Sequence, residues 1–184
     1  MQEDRIRAAL VELLYRNSYG VVVANILISL AAAYVLRTTV SASWLIGWLG
    51  AVYLLTAIRV LAARRFFSRE REPASASRWA WLAAAFSCVS GLLWGALGWV
   101  GFLPQEPVLF SFTVIVLTGL ICGTVPSLSA FPPALVGSII ATVLPITVRS
   151  ITNGGDIAGA YLALLAGLVA INLYLLPHHL PDAA

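Results

Sequence analysis

The stretch GTVPSLSAFPPA, residues 123–134, decides how this chain is folded. It holds three prolines and no charge, and it lies inside an uncharged run from residue 108 to residue 148. At about 1.5 Å of rise per residue, that run is too long for one helix across roughly 30 Å of hydrocarbon, and just long enough for two joined tightly. Pro126, Pro132 and Pro133 lack amide protons, and Pro132 and Pro133 also push the residues before them out of the helical region. The sequence therefore predicts a helix ending near Val125, a hairpin turn, and a second helix starting at Pro132 or Pro133. Pro126, Pro132 and Pro133 are the hinge candidates of this joint. Its free carbonyls need neighbouring helices, Ser127 and Ser129, or interfacial water.

Working outward, the same measure finds six apolar spans, at residues 19–36, 44–63, 80–100, 108–124, 130–148 and 157–176. Composition agrees: 60% of the 184 residues are hydrophobic and 10% are charged, too little polar surface to cover a soluble globule. The fold class read from the sequence is all-α, an integral membrane bundle of six transmembrane helices. Residues 1–17 are expected as a short amphipathic helix, 18–177 as the six-helix domain and 178–184 as a tail. Polar punctuation marks the expected loops: RTTVSAS from Arg37, RRFFSREREPASASR from Arg64, PQEP from Pro104 and RSITNGGD from Arg149.

Arginine placement orients the bundle. Arg5, Arg7 and Arg16 precede the first span, and Arg64, Arg65, Arg69, Arg71 and Arg78 fill the second loop, whereas the other side receives Arg37 and Arg149 beside Glu106 and Asp156. Basic loops stay cytoplasmic, so both chain ends are expected inside a bacterial inner membrane, and the proline turn lies on that inner side. Trp44, Trp48 and Trp99 are expected at the outer headgroup layer and Trp79 and Trp81 at the inner one. The formal charge of +3 belongs to these flanking arginines and not to a nucleic-acid surface, so no nucleic-acid partner is expected. In the leading segment Ile6, Leu10, Leu13 and Leu14 form an apolar stripe, fit to rest in headgroups or to form a dimer seam. The first apolar run lacks a small-residue cleavage site and is long enough to stay in the membrane, so no cleaved leader is expected.

Inside the spans, chemistry is sparse. None carries Asp, Glu, Lys or His, which disfavours a proton-coupled transporter. No paired carboxylates, convergent Ser-His-Asp set or phosphate loop is present, so no catalytic residue, cofactor or metal is expected. His178 and His179 are adjacent and would diverge on a helix, and Cys88 and Cys122 read as small hydrophobes. Arg59 is the one ionisable residue within a span; it either snorkels to the interface or faces inward to a ligand or carbonyl. The ligand-contact candidates are Asn25, Arg59, Trp94 and Ser129. Small residues recur at four-residue spacing: Ser87, Gly91 and Gly95, then Gly119 and Gly123, then Gly159, Ala163 and Gly167. These are helix-packing candidates, within one chain or between protomers. Asn25, Ser29, Thr56, Ser90, Thr118, Ser138, Thr142 and Asn172 are expected to hydrogen-bond between helices. A pocket among them would suit a small apolar or lipid-like molecule.

The pattern LLYRNS before the first span, ARRFF after the second, SGLLWGALGW in the third and GLICGTVPSLSAFPPALVGSIIATVLPITVR through the fourth and fifth resembles the MASE-like membrane sensor regions of bacterial signalling proteins. Those regions precede GGDEF diguanylate cyclase, EAL phosphodiesterase or histidine kinase domains. The resemblance implies a homodimeric input module whose last helix continues into a cytoplasmic output domain. The sequence ends at Ala184, after LPHHLPDAA, without such a domain, which leaves open an excised sensor region and a stand-alone protein. The alternative function is a small oligomeric carrier or channel for an uncharged solute; an accessory factor that holds another membrane protein is a third.

Overall fold

The computed structural model describes residues 18–68, 76–128 and 131–153. They form five α-helices, α1 (Ser18–Leu36), α2 (Ala42–Ser68), α3 (Ala76–Val100), α4 (Pro107–Leu128) and α5 (Pro132–Thr152), with no strand among the described residues. The amphipathic segment 1–17, the sixth expected span 157–176 and the tail 178–184 lie outside the described residues.

Four of these helices carry windows long and apolar enough to cross a membrane: Ala42–Phe66, Ser77–Val100, Pro107–Val125 and Pro132–Thr152, with mean hydropathy from 1.6 to 2.3. The apolar stretch of α1 is shorter, Val22–Leu36. Only 28–44% of each spanning window is buried inside the protein. Large apolar side chains instead point outward all around the bundle, among them Leu27, Ile46, Leu54, Leu92, Ile115 and Ile151. Helices this apolar on all sides need hydrocarbon, and not water, against their outer faces. The fold is a helical membrane bundle.

The helix boundaries differ from the punctuation in the sequence. Arg64 and Arg65 lie within α2, Arg78 within α3 and Arg149 within α5, all at positions expected in loops. Arginine is a good helix former and its long stem lets the head reach polar surroundings, so a basic flank extends a helix as readily as it ends one. The fourth helix likewise passes through Pro126 and ends at Leu128, beyond the expected end near Val125. The missing Pro126 amide removes one helical bond, and the last turn is held elsewhere by the Thr124 hydroxyl, which donates to the Ile121 carbonyl at 2.6 Å. The hinge prolines thus divide: Pro126 continues a helix, whereas Pro132 and Pro133 open the next, after Phe131 in an extended conformation (φ −141°, ψ 89°).

The most extensive contact joins α3 and α5, which run parallel in fixed register. Trp81 meets Phe131 edge to face at 5.6 Å, Gly137 faces Cys88, Gly91 faces Ala141, Gly95 faces Pro145, and the Arg149 guanidinium lies 5.1 Å over the Trp99 ring. Glycine is required here. A Cβ on Gly91 would stand 2.5 Å from the Ser138 carbonyl oxygen, and one on Gly95 would stand 2.7 Å from the Ala141 carbonyl oxygen and from Pro145 Cγ. With no hydrophobic drive between helices in lipid, such close backbone approach is what holds a pair together.

A second cluster locks α2 to α3. Trp48 is buried, donates its indole N–H to the Leu93 carbonyl at 2.8 Å, stacks on Trp44 at 6.2 Å and meets Trp94 edge to face at 5.2 Å. Trp48 is thus seated against α3 inside the protein, where its one donor finds a protein carbonyl. The two sides of the bundle are closed by rings. Phe102 packs edge to face on Phe110 between α3 and α4, and Phe66 on Trp79 between α2 and α3, where Phe131 joins them. Phe131, just before α5, thus shares one end of the bundle with the end of α2 and the start of α3.

Candidate functional site

At the centre of the bundle lies a cavity of about 190 Å³ to which all five described helices contribute. Helix α1 supplies Ala24, Asn25 and Ile28; α2 supplies Arg59; α3 supplies Ser87, Ser90, Gly91 and Trp94. From α4 come Gly119, Leu120, Gly123, Thr124 and Leu128, and from α5 Ser138 and Thr142. Three of the four ligand-contact candidates, Asn25, Arg59 and Trp94, are thereby brought onto one surface; Ser129 lies outside the described residues. Arg59 is half-buried, borders this cavity and is engaged in an interaction of its own.

The hydroxyls of the cavity wall do not bridge helices as the sequence reading expected. Four of the five donate to a carbonyl of their own helix: Ser87 to Ala83 at 2.8 Å, Thr124 to Ile121 at 2.6 Å, Ser138 to Leu135 at 3.0 Å and Thr142 to Ser138 at 2.8 Å. Thr56 does the same with Val52 at 2.7 Å. A polar group in an apolar span has few partners, and the carbonyl three or four residues back is always within reach. Contact between helices through polar groups falls instead to Trp48 with Leu93 and to Ser29, whose hydroxyl reaches Tyr53 Oη at 3.4 Å. Thr118, another of the expected bridging residues, has a buried hydroxyl with no hydrogen-bond partner among the described residues.

Asn25 differs from all of these. It is 7% exposed, it borders the cavity, and its side-chain amide makes no hydrogen bond to any described residue. Its amide atoms are not sealed off in the interior, and the cavity it borders is where a partner can reach them.

The small-residue stripes separate into two kinds. Ser87, Gly91 and Gly95 stand at or beside the α3–α5 contact. Gly119 and Gly123, at the same spacing on α4, have no atom of a described residue within 4 Å of where a Cβ would be, and both line the cavity. They make room and do not draw a helix close. Gly159, Ala163 and Gly167 lie outside the described residues. Close approaches that the spacing pattern missed occur at Gly98 against Leu117 and Ile146, Gly101 against Thr113, and Gly137 against Cys88 Sγ. No spaced partner glycine announces them. Cys88 and Cys122 are both free thiols. Among the described residues no group of three His, Cys, Asp or Glu is placed to hold a metal ion.

No protein-family model, curated protein or solved structure matches the chain.

Proposed function

We propose that this chain is a membrane-embedded sensory module of a bacterial signal-transduction protein, with six crossings, both ends in the cytoplasm and a homodimeric assembly in the inner membrane. In this reading a small molecule enters the central cavity and shifts the packing of the helices, and the segment after α5 carries the shift to a cytoplasmic output domain such as a diguanylate cyclase or a histidine kinase. The observation that supports it most is the cavity itself: one small occupant touches all five described helices, so its binding energy can bias how they sit against one another. The arginine distribution supports the orientation, since Arg64, Arg65 and Arg78 flank the end that holds the proline turn. The resemblance of the apolar segments to MASE-like regions supports the signalling role.

The test is a fusion of the chain through residue 184 to a diguanylate cyclase domain in a membrane preparation, with cyclic dinucleotide production as the readout. The proposal expects cavity-filling substitutions such as Gly119→Val to lock output high or low. Output equal to that of the unsubstituted fusion under every condition, or solute flux through liposomes containing the chain alone, rejects the sensor in favour of a carrier or a passive anchor. A carboxyl-terminal green fluorescent protein fusion that is dark, paired with an active alkaline phosphatase fusion, rejects the orientation.

A further inference from the structure

The cavity wall is uneven in its hydrogen-bonding capacity. Ser87, Thr124, Ser138 and Thr142 have each given their one hydroxyl hydrogen to a carbonyl of their own helix, at 2.6 to 3.0 Å. What they have left is lone pairs. The wall therefore offers four acceptor oxygens together with the Ser90 hydroxyl and the Asn25 amide, which accepts through Oδ1 and donates through Nδ2. Trp94, 3% exposed, supplies an aromatic surface on the same wall. Arg59 borders the same cavity and is engaged in an interaction of its own.

We propose that the cavity binds a small, uncharged, single-ring molecule bearing a hydroxyl or amino donor, of the size and polarity of phenol. Size sets the first limit. About 190 Å³ is a little larger than an apolar cavity of about 150 Å³ that accommodates benzene, and far too small for an acyl chain with its headgroup. Polarity sets the second. A ligand with acceptors alone would face four acceptor oxygens and leave them unmatched, whereas a donor satisfies one of them or Asn25 Oδ1 while Nδ2 returns a bond to the ligand's own oxygen. The ring lies against Trp94, where aromatic pairs gain beyond their buried area. This ligand class rests on the cavity being where the stimulus enters. Its test reads binding alone, so its failure is separable from failure of the signalling role.

The full chain, purified in detergent with fluorotryptophan in place of tryptophan, is titrated with phenol and with toluene, which match in shape and differ in the donor. Fluorine NMR follows the Trp94 resonance, assigned by its absence in Trp94→Phe. Phenol is expected to shift that resonance saturably and to bind about fivefold or more tightly than toluene, the ratio worth one net hydrogen bond. Asn25→Leu is expected to cut that ratio by about half or more, since it removes an amide that both accepts from phenol and donates to it. Gly119→Val, whose added methyls enter the cavity, is expected to abolish the shift by either probe. If Asn25→Leu does not fold, Ser138→Ala with Thr142→Val strips two acceptors and carries the same expectation. Equal affinity for both probes, an unchanged ratio in the Asn25 variant, or no shift with any probe, as for a cavity that holds only water, overturns the proposal.

Discussion

Two glycine pairs at the same spacing have opposite fates in this molecule. On α3, Gly91 and Gly95 are pressed against the backbone of α5, so close that a single added carbon would overlap the Ser138 and Ala141 carbonyl oxygens. On α4, Gly119 and Gly123 have no atom of a described residue within 4 Å of an added Cβ. The spacing permits close approach and does not cause it. What decides is the surface opposite. Against Gly91 and Gly95 stand Ser138, Ala141, Thr142 and Pro145, narrow residues that let α5 come in; opposite Gly119 and Gly123 lies the cavity bounded by Asn25 and Arg59. One pair is used for contact and the other for volume.

The sharpest way to break this contrast is Gly95→Leu. A branched side chain against the Ala141 carbonyl and the Pro145 ring must push α3 from α5, and destabilisation of about 3–5 kcal/mol is expected. Thermal unfolding in detergent and the yield of monodisperse protein measure it; an unfolding temperature near that of the unsubstituted chain would show the seam to be unimportant. Gly137→Ala is expected to cost about 1–3 kcal/mol, because the new Cβ would meet Cys88 Sγ at 2.6 Å. Here the neighbour is one small side chain, so Gly137→Ala combined with Cys88→Ala should recover most of the loss, and a double-mutant cycle reads the coupling. Additive losses would place the contact elsewhere.

Trp48→Phe is expected to cost about 1–2 kcal/mol, from the lost N–H bond to the Leu93 carbonyl and the smaller ring, and to leave α3 and α5 intact. Guanidine-free thermal melts monitored by circular dichroism are sufficient to see it. The smallest effect falls on the open pair. Gly119→Ala adds a methyl to empty space and removes a flexible residue from a helix, so stability should hold or rise by up to about 1 kcal/mol. A loss comparable to that of Gly137→Ala would erase the distinction between the two stripes.

Much of the architecture was legible because hydropathy alone reports which segments must be helical, and α2 to α5 fall where the apolar runs fall. The proline turn was legible for a local reason: Pro132 and Pro133 can occupy the first positions of a helix and no later ones without loss. Helix ends were not, since Arg64, Arg65 and Arg149 serve equally well in a last turn or beyond it. The gathering of Asn25, Arg59 and Trp94 was partly legible, because polar groups in apolar spans turn inward. That Leu128 would join them could not be read, since it depends on the end of α4 running past Pro126. Nor could the inward seat of Trp48, which is fixed by a carbonyl on another helix, 45 positions away in the chain.

The meeting of Gly95 with Pro145 has a mechanical consequence. Pro145 has no amide to offer the Ala141 carbonyl, so that oxygen stays available on the flank of α5 where the bare Cα of Gly95 settles beside it and beneath the pyrrolidine ring. A ring seated over a notch works as a key. Helices α3 and α5 cannot slip past each other along the membrane normal by a turn, and they travel as a single strut. Among the described helices, displacement across the bilayer is therefore expected as a tilt or swing of α1, α2 or α4 against that strut, and not as a piston between α3 and α5.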